Sequence, residues 1–343
     1  MKMLLNQGLK SNKMSNIFIT GGAGYCGSIL VPTLLEKGHK VTVYDKFYFG
    51  NFLPASDHLK IVNADIRDHQ RIKAECLNHD YFISLACISN DASFELDEKL
   101  STSINMDAFE PMVLAAKESG IKRFIYASSS SVYGVSSQKN VKEDHPLVPL
   151  TLYNKYKGLC EPILEKYCDE NFTGVTFRPA TVCGYAPRLR LDLSVNILTN
   201  HAVKNNLIKV FGGDQLRPNL HVRDYCAAIE LLLDAPSELI NKNKYNVGYQ
   251  NLSILEIAKI VKKVVELKFP NKKIDIIRTE SDDIRSYHIN SDKIKKELNF
   301  EPKLSIENAV EDLCAAFESN LINESFTNDI YFNVQRLKNL KIK

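Results

Sequence analysis

A glycine-rich turn between a short apolar segment and a helix-like segment constrains the fold of this chain more than any other feature. The apolar run at 17–20 is followed at once by the sequence GGAGYCG at 21–27 and then by apolar residues at helical spacing up to Gly38. Glycines at 21, 24 and 27 permit a tight turn, close approach of a pyrophosphate and close packing of helix on strand. This order predicts a dinucleotide site, with the phosphates at the helix N-terminus.

An acidic residue after the next predicted strand, 40–44, indicates which dinucleotide binds. Asp45 lies 18 residues after Gly27, where a carboxylate accepts hydrogen bonds from the adenosine ribose. The same carboxylate repels a 2′-phosphate, so the sequence favours NAD over NADP. Lys46 is the opposing signal, because a lysine at this position pairs readily with such a phosphate.

Predicted strands alternate with helical segments through the first half of the chain. This alternation predicts an α/β fold of the Rossmann type, a doubly wound parallel sheet. The periodicity becomes less regular after 180, which predicts a smaller C-terminal α/β lobe for the substrate. The predicted strands of the sheet are 17–20, 40–44, 59–63, 81–86, 123–127 and 175–179. The predicted divisions are an extension at 1–13, the dinucleotide domain at 14–180 with 219–250 returning to it, the second lobe at 181–218 and 251–320, and a tail at 321–343.

A tyrosine and a lysine four positions apart supply a candidate acid/base pair. Tyr153 and Lys157 begin a helix-like segment, and residues at this spacing share one helix face. A nearby ammonium favours the phenolate and lowers the pKa of a phenol, which can then take and return a proton. The alternative for such a pair on its own is a surface helix with a solvated lysine.

Four consecutive serines follow the predicted fifth strand, at 128–131. Ligands of open α/β sheets gather where the strands end, about where this run lies. The position favours hydrogen bonds to a hydroxyl or keto oxygen of a substrate, although serine clusters are also common in solvated loops.

Composition excludes several classes of protein. The 343 residues carry a net charge of +3 and 25% charged residues, without a basic cluster that would favour nucleic acid. The eight cysteines are scattered, so neither a disulfide scaffold nor a metal site is predicted, and a reducing, cytoplasmic location is expected. No apolar run is long enough for a membrane span, and the N-terminus lacks the apolar core of a signal peptide.

Four motifs follow one another at defined spacing: the glycine turn, Asp45, the serine run before Val132-Tyr133-Gly134, and the Tyr153/Lys157 pair. In this order and spacing, the chain resembles the extended short-chain dehydrogenase/reductase family. More narrowly, the chain resembles its nucleotide-sugar epimerases and dehydratases, of the UDP-glucose 4-epimerase type. The resemblance implies bound NAD, a nucleoside-diphosphate sugar as substrate and a homodimer formed through a four-helix contact.

The resemblance also implies roles for single residues. Tyr153 would be the acid/base, Lys157 would tune it and bind the nicotinamide ribose, and Ser129 would bond the reacting oxygen. The implied cofactor residues are Gly21, Gly24, Tyr25, Cys26, Gly27, Asp45, Lys46, Asp65, Ile66, Leu85, Ala86, Ser89, Asn105, Tyr153, Lys157 and Pro179. The implied substrate residues are Ser129, Ser130, Ser131, Thr181, Asn196, Arg217 and Arg285. Arg188 and Arg190 could meet a diphosphate, a sugar carboxylate or only solvent.

Departures from the family pattern reduce the number of reactions that the chain is expected to catalyse. Relatives that resemble 4,6-dehydratases carry Asp-Glu where this chain has Ser130-Ser131, and those that resemble UDP-glucuronate decarboxylases keep a glutamate at position 131. The absence of a carboxylate argues against elimination chemistry. The resulting hypothesis is an NAD-dependent nucleotide-sugar epimerase, acting at the 4-position through a 4-keto sugar. An NAD(H)-dependent 4-ketoreductase or dehydrogenase stays open, and a non-catalytic NAD-binding regulator is the third alternative.

Overall fold

The computed structural model describes residues 14–136, 140–280, 286 and 288–342. The predicted extension at 1–13 and the predicted substrate residue Arg285 lie outside this range.

Seven parallel strands form the main sheet, in the order β10-β6-β5-β4-β1-β2-β3. Their central members are buried along their whole length, as apolar strands covered by helices on both faces should be. Parallel pairing brings the carboxyl ends of neighbouring strands together, for example Thr20 beside Ser84 and Ala127 beside Phe177. The strands are β1 Asn16–Thr20, β2 Lys40–Asp45, β3 Leu59–Asn63, β4 Tyr81–Ser84, β5 Arg123–Ala127, β6 Thr173–Pro179 and β10 Lys244–Val247.

The helices that cover this sheet bury two apolar clusters against it, one on each face. Helix α1 begins at Gly27, directly after the glycine turn, and packs beside α8. Helices α5 and α6 pack on each other, and both contribute to the second cluster. The helices around the sheet are α1 Gly27–Glu36, α2 His69–Glu75, α3 Asp91–Phe94, α4 Glu98–Thr102, α5 Phe109–Glu118, α6 Leu152–Tyr167, α8 Val222–Asp234, α9 Ser237–Ile240 and α11 Asp292–Leu298.

A smaller group of elements encloses a third apolar cluster beyond the carboxyl edge of the main sheet. It contains a three-stranded sheet of order β11-β9-β7, a parallel pair of β8 with β12, and three mutually packed helices. The elements are β7 Thr181–Cys183, α7 Ser194–Asn205, β8 Leu207–Phe211, β9 Leu216–His221, β11 Gln250–Ser253, α10 Ile254–Lys268, β12 Asp275–Thr279 and α12 Ile306–Glu318. We call this group the second lobe.

The periodicity of 101–119 predicts a single helix, but a π-helical segment at Ser103–Asp107 separates α4 from α5. The Asn105 side chain in this segment bonds both the amide and the carbonyl of Ile88, at 2.8 and 2.9 Å. The wider turn thus carries an anchor for the loop after β4. Such π-turns are frequent at functional sites.

The tail, for which the sequence predicts no structure, is ordered into helix. A short 3₁₀ segment at Asp329–Tyr331 leads into α13, Asn333–Leu340, which packs against α3. None of the helices in the part of the chain that the structure describes has the length and apolar character to cross a membrane.

Candidate active site

A cavity of about 820 Å³ lies at the carboxyl edge of the main sheet, between the sheet and the second lobe. This volume falls within the ordinary range of small-molecule sites. Most of the predicted site residues line it: Gly21, Gly24, Tyr25, Cys26, Gly27, Asp45, Lys46, Asp65, Ile66, Leu85, Ala86, Ser89, Ser129, Ser130, Ser131, Tyr153, Lys157, Pro179, Thr181 and Arg217.

The glycine turn forms the floor of one end of the cavity. Gly21 has φ +73°, and a Cβ there would lie 2.5 Å from the Ala86 amide nitrogen, so no larger residue fits. A Cβ on Gly27 would overlap the Gly22 backbone. Helix α1 starts without a side-chain cap, which leaves backbone N–H groups for an anion.

Asp45 is held at the end of β2 by the turn itself. Its carboxylate accepts hydrogen bonds from the amides of Ala23, at 3.0 Å, and Phe47, at 2.8 Å. Burial raises the pKa of this carboxyl, and the two amide bonds oppose that effect. Lys46 also lines the cavity. The residue that favours NAD and the residue that could pair with a 2′-phosphate therefore both lie at this end.

The adenine role predicted for Asp65 meets a competing contact. Arg67 forks onto the Asp65 carboxylate, with Nε and Nη2 at 3.0 and 2.7 Å from its two oxygens. Burial acts to raise the pKa of Asp65, but the bonds from Arg67 outweigh it and lower the pKa. Asp65 is therefore ionised, and its side chain is fixed in place.

Helix α6 brings the predicted acid/base pair to the cavity. Thr151 caps the helix by accepting a bond from the Asn154 amide, and it donates to Asp91 at 2.6 Å. The cap places Tyr153 in the first turn, and Lys157 follows one turn later. The buried ammonium of Lys157 donates to the Ala127 carbonyl, at 2.8 Å, at the end of β5.

The serine run forms a connected set of hydroxyl groups beside this pair. Ser129 and Ser131 share a hydrogen bond of 2.7 Å, and Ser131 donates to Asn154 on α6 at 2.5 Å. Ser128 instead donates to the buried Glu161 at 2.7 Å. The run is thus an ordered wall of the cavity rather than a solvated loop.

Two predicted residues are not brought to the cavity lining. Asn196 is fully buried and uses its amide on Gly184, Tyr25 and the Arg190 carbonyl. Asn105 is occupied by Ile88, as described above. Both residues were predicted to bind ligand because their types match family positions. In the structure, their side chains instead bond protein groups that support the site.

Arg188 and Arg190 are buried in the cavity wall, so the solvent alternative is wrong. Arg190 makes a forked ion pair with Asp192, at 2.9 and 3.0 Å. It also interacts electrostatically with Tyr153. A guanidinium near a phenol favours the phenolate. Arg190 therefore lies within electrostatic range of Tyr153, and its pair with Asp192 offsets part of its charge.

The surroundings of Arg188 indicate whether the residues that line the cavity fit NAD. Its Nε and Nη1 are buried without a hydrogen-bond partner, and its guanidinium lies 3.8 Å from the centroid of the Phe49 ring. Burial, together with the charge of Arg190, lowers the pKa of Arg188 to about 9. A buried guanidinium with unfilled donors calls for an anion. A pyrophosphate over the neighbouring glycine turn would satisfy it, so the site fits the dinucleotide.

No sequence signal points to two further residues of the cavity wall. Asn333 and Leu337 belong to α13, and no motif connects the tail with the site. Asp91 and Asp192 were also not predicted, because single acidic residues in loops carry no pattern.

The parallel sheet and the cavity at its carboxyl edge define a Rossmann-type dinucleotide-binding protein. A family model described as the NAD dependent epimerase/dehydratase family matches residues 17–248, and the chain belongs to this family. The predicted α/β Rossmann fold, membership of the nucleotide-sugar epimerase/dehydratase group and use of NAD are thereby confirmed. The protein is an enzyme of this superfamily.

Individual relatives differ in the reaction that they catalyse. UDP-glucuronic acid decarboxylase 1 of Arabidopsis thaliana is 26% identical over 322 residues, which are 91% of this chain and 72% of that protein. The UDP-glucose 4-epimerase of Thermotoga maritima, solved with UDP-glucose, superposes with a TM-score of 0.79 at 23% identity, covering 89% of this chain and 99% of that one. The dTDP-glucose 4,6-dehydratase DesIV of Streptomyces venezuelae, solved with NAD, superposes with a TM-score of 0.80 at 19% identity. The match covers 92% of this chain and 99% of that one.

Proposed function

We propose that the protein is an NAD-dependent nucleotide-sugar epimerase that acts at the 4-position through a transient 4-keto sugar. The observation that carries the proposal is the cavity wall around Tyr153. It combines a phenol, two cations and serine hydroxyls, and the run at 128–131 contains no carboxylate. This set can move a proton on and off a sugar hydroxyl, and it offers no acid in the run for expelling water.

Tyr153 as phenolate would take the proton of the 4-hydroxyl and later return it. Lys157 and Arg190 favour the phenolate, and the Ser129 hydroxyl would turn from Ser131 to donate a hydrogen bond to the same sugar oxygen. NAD, held by the glycine turn and Asp45, would supply reversible hydride transfer at carbon 4 of the sugar. Holding all groups in one cavity provides the orientation that the reaction needs.

We propose roles for the remaining site residues from their positions in the cavity lining. The cofactor set keeps the predicted residues except Asn105, with Arg188 added for the pyrophosphate. On the second lobe, Thr181 and Arg217 would face a nucleoside-diphosphate sugar, because a guanidinium suits a diphosphate. Solved relatives with UDP-glucose or UDP-glucuronic acid support this class of substrate. All eight cysteines are unpaired in the structure, which agrees with the proposed cytoplasmic location.

The test is turnover by purified protein without added cofactor. Ligands released on denaturation are identified by mass spectrometry, and UDP-, GDP-, CDP- and dTDP-sugars are then assayed for conversion to their 4-epimers. We expect co-purified NAD and epimer formation without added NADH. Stoichiometric consumption of NADH would instead assign a ketoreductase. Loss of CO₂ from a UDP-glucuronate substrate would assign a decarboxylase and refute the argument from the serine run.

A further inference from the structure

The C-terminal segment 321–342 crosses from the second lobe to the main sheet over the cavity. At its start, Ile322 is buried in the core of the second lobe, and the Ser325 carbonyl accepts a bond from Asn200 on α7. At its end, Leu337 is buried in the cluster that covers β3 and β4. One segment therefore joins the two bodies that form the walls of the site.

Asn333, at the start of α13, is bonded to the cavity wall on three sides. Its side-chain oxygen accepts from Arg188 Nη2 at 2.6 Å, and its amide nitrogen Nδ2 donates to Ser89 Oγ at 2.8 Å. Its backbone amide donates to the Asp192 carboxylate at 3.2 Å. The side chain is only 4% exposed, so these contacts are made away from bulk water, where they are strong.

The bond to Arg188 matters because no carboxylate in the described part of the chain forms an ion pair with that guanidinium. The neighbouring carboxylate, Asp192, is engaged by the fork from Arg190. Asn333 and the face of Phe49 are the contacts that fix the Arg188 head group among the described residues. With these in place, Nε and Nη1 stay unfilled beside the glycine turn.

The outer side of the same helix is tied to the loop after β2. Arg336 Nε donates to the Tyr48 carbonyl at 2.8 Å, and its guanidinium also pairs with Asp329 at 3.1 Å. Tyr48 and Phe49 line the cavity directly after Asp45 and Lys46. Helix α13 is therefore anchored to the loop that would carry the adenosine ribose.

We propose that α13 is a structural part of the NAD site and that Asn333 is a positioning residue, which orients Arg188 toward the cofactor's pyrophosphate. The neutral amide holds the guanidinium without cancelling its charge, so the full positive charge stays available to the phosphates. This inference depends on NAD binding and not on which sugar reaction follows.

The first test measures binding to protein freed of bound cofactor, using NAD, ADP-ribose and adenosine. We expect Asn333→Ala to weaken NAD and ADP-ribose by about tenfold, the effect of losing one charge-assisted contact, and to leave adenosine unchanged because it carries no phosphate. Asn333→Asp should weaken both diphosphates further, since its carboxylate would neutralise Arg188. Asn339→Ala, on an exposed position of the same helix, is the matched control and should bind like wild type.

Two results would overturn the proposal. One is NAD affinity of Asn333→Ala within twofold of wild type. The other is an equal loss for NAD and adenosine, which would indicate general damage to the site rather than a misplaced guanidinium.

A second test needs no substitution. Trypsin cleaves after Arg336 and Lys338 once α13 opens, so the cleavage rate of the intact protein reports that opening. We expect saturating NAD to slow cleavage at these two positions at least several-fold, and adenosine to protect less. Identical rates with and without NAD would show that the helix is not part of the site.

Discussion

Single residues set the proton chemistry of this site. Tyr153 has Lys157 one helical turn away and interacts electrostatically with Arg190 from the second lobe. Opposite charges stabilise the ionised phenol, which is the form that can accept a proton. The two cations come from different parts of the chain, so the proposed tuning of the phenol would require both lobes to be in place.

Removing the phenol oxygen should therefore stop turnover without emptying the site. We expect Tyr153→Phe to lower kcat by about 10²–10⁴-fold, the usual contribution of acid/base catalysis, while the NAD content stays as in wild type. Tyr156→Phe is the control, because Tyr156 lies on the same helix and packs against Phe94, outside the cavity lining. Steady-state kinetics and the absorbance of released cofactor measure both quantities. Activity of Tyr153→Phe near wild type would refute the assignment.

The glycine turn allows a second test at this scale. Gly27→Ala places a methyl group against the Gly22 backbone, so the turn must widen and lift the phosphates away from α1. We expect the purified variant to retain little NAD and to melt at a lower temperature. Gly120→Ala introduces its methyl into open space, although the φ of +85° at Gly120, unlike the φ of Gly27, disfavours a side chain. This variant should lose some stability and keep its NAD. Equal retention of NAD by both variants would argue against phosphate binding at the glycine turn.

At the scale of elements, a buried ion pair fixes α6 to the sheet beneath the serine run. Arg178 on β6 forks onto Glu161 on α6 at 2.9 and 2.5 Å, and Ser128 bonds the same carboxylate. Arg178 also donates to the Tyr133 hydroxyl at 2.6 Å. Both charged side chains are almost completely buried. This network connects the helix that carries Tyr153 with the two strands that end under it.

Breaking this pair should cost more than breaking an exposed one. Glu161→Gln leaves a buried guanidinium without its counter-charge, and we expect the free energy of unfolding to fall by about 3–5 kcal/mol. Lys166→Gln, also on α6, removes one partner of the exposed ion pair with Glu110 of α5. Little change in stability is expected there. Urea unfolding followed by circular dichroism compares the two. A midpoint for Glu161→Gln that matches the control would show that the buried pair does not hold α6.

At the scale of the whole molecule, the homodimer expected from the family resemblance would use a contact that includes the exposed face of α6. Leu159 on α6 is 42% exposed on this surface, and an exposed leucine on a helix face suits an interface. We expect light scattering to give twice the chain mass of 38.8 kDa. Leu159→Glu should reduce that mass to a single chain, whereas Leu267→Glu, on the exposed side of α10, should not. A single-chain mass for the wild type would contradict the proposal.

The sequence by itself determined the elements of the Rossmann sheet and the end of the molecule at which a dinucleotide belongs. Local patterns suffice there, because the strand, the glycine turn and the helix of 17–36 are contiguous, and Tyr153 and Lys157 are separated by one helical turn. The π-helical segment around Asn105 was missed, since the bonds of Asn105 to Ile88 join positions 17 residues apart and leave no local pattern.

Only the tertiary structure decided which distant residues complete the site. It assigned Asn196 to internal bonds, brought Arg190 within electrostatic range of Tyr153 and brought Asn333 of the tail to Arg188, 145 positions earlier in the chain. Contacts of this kind arise when separate elements pack together, and they leave no periodic or local pattern in the sequence that could reveal them.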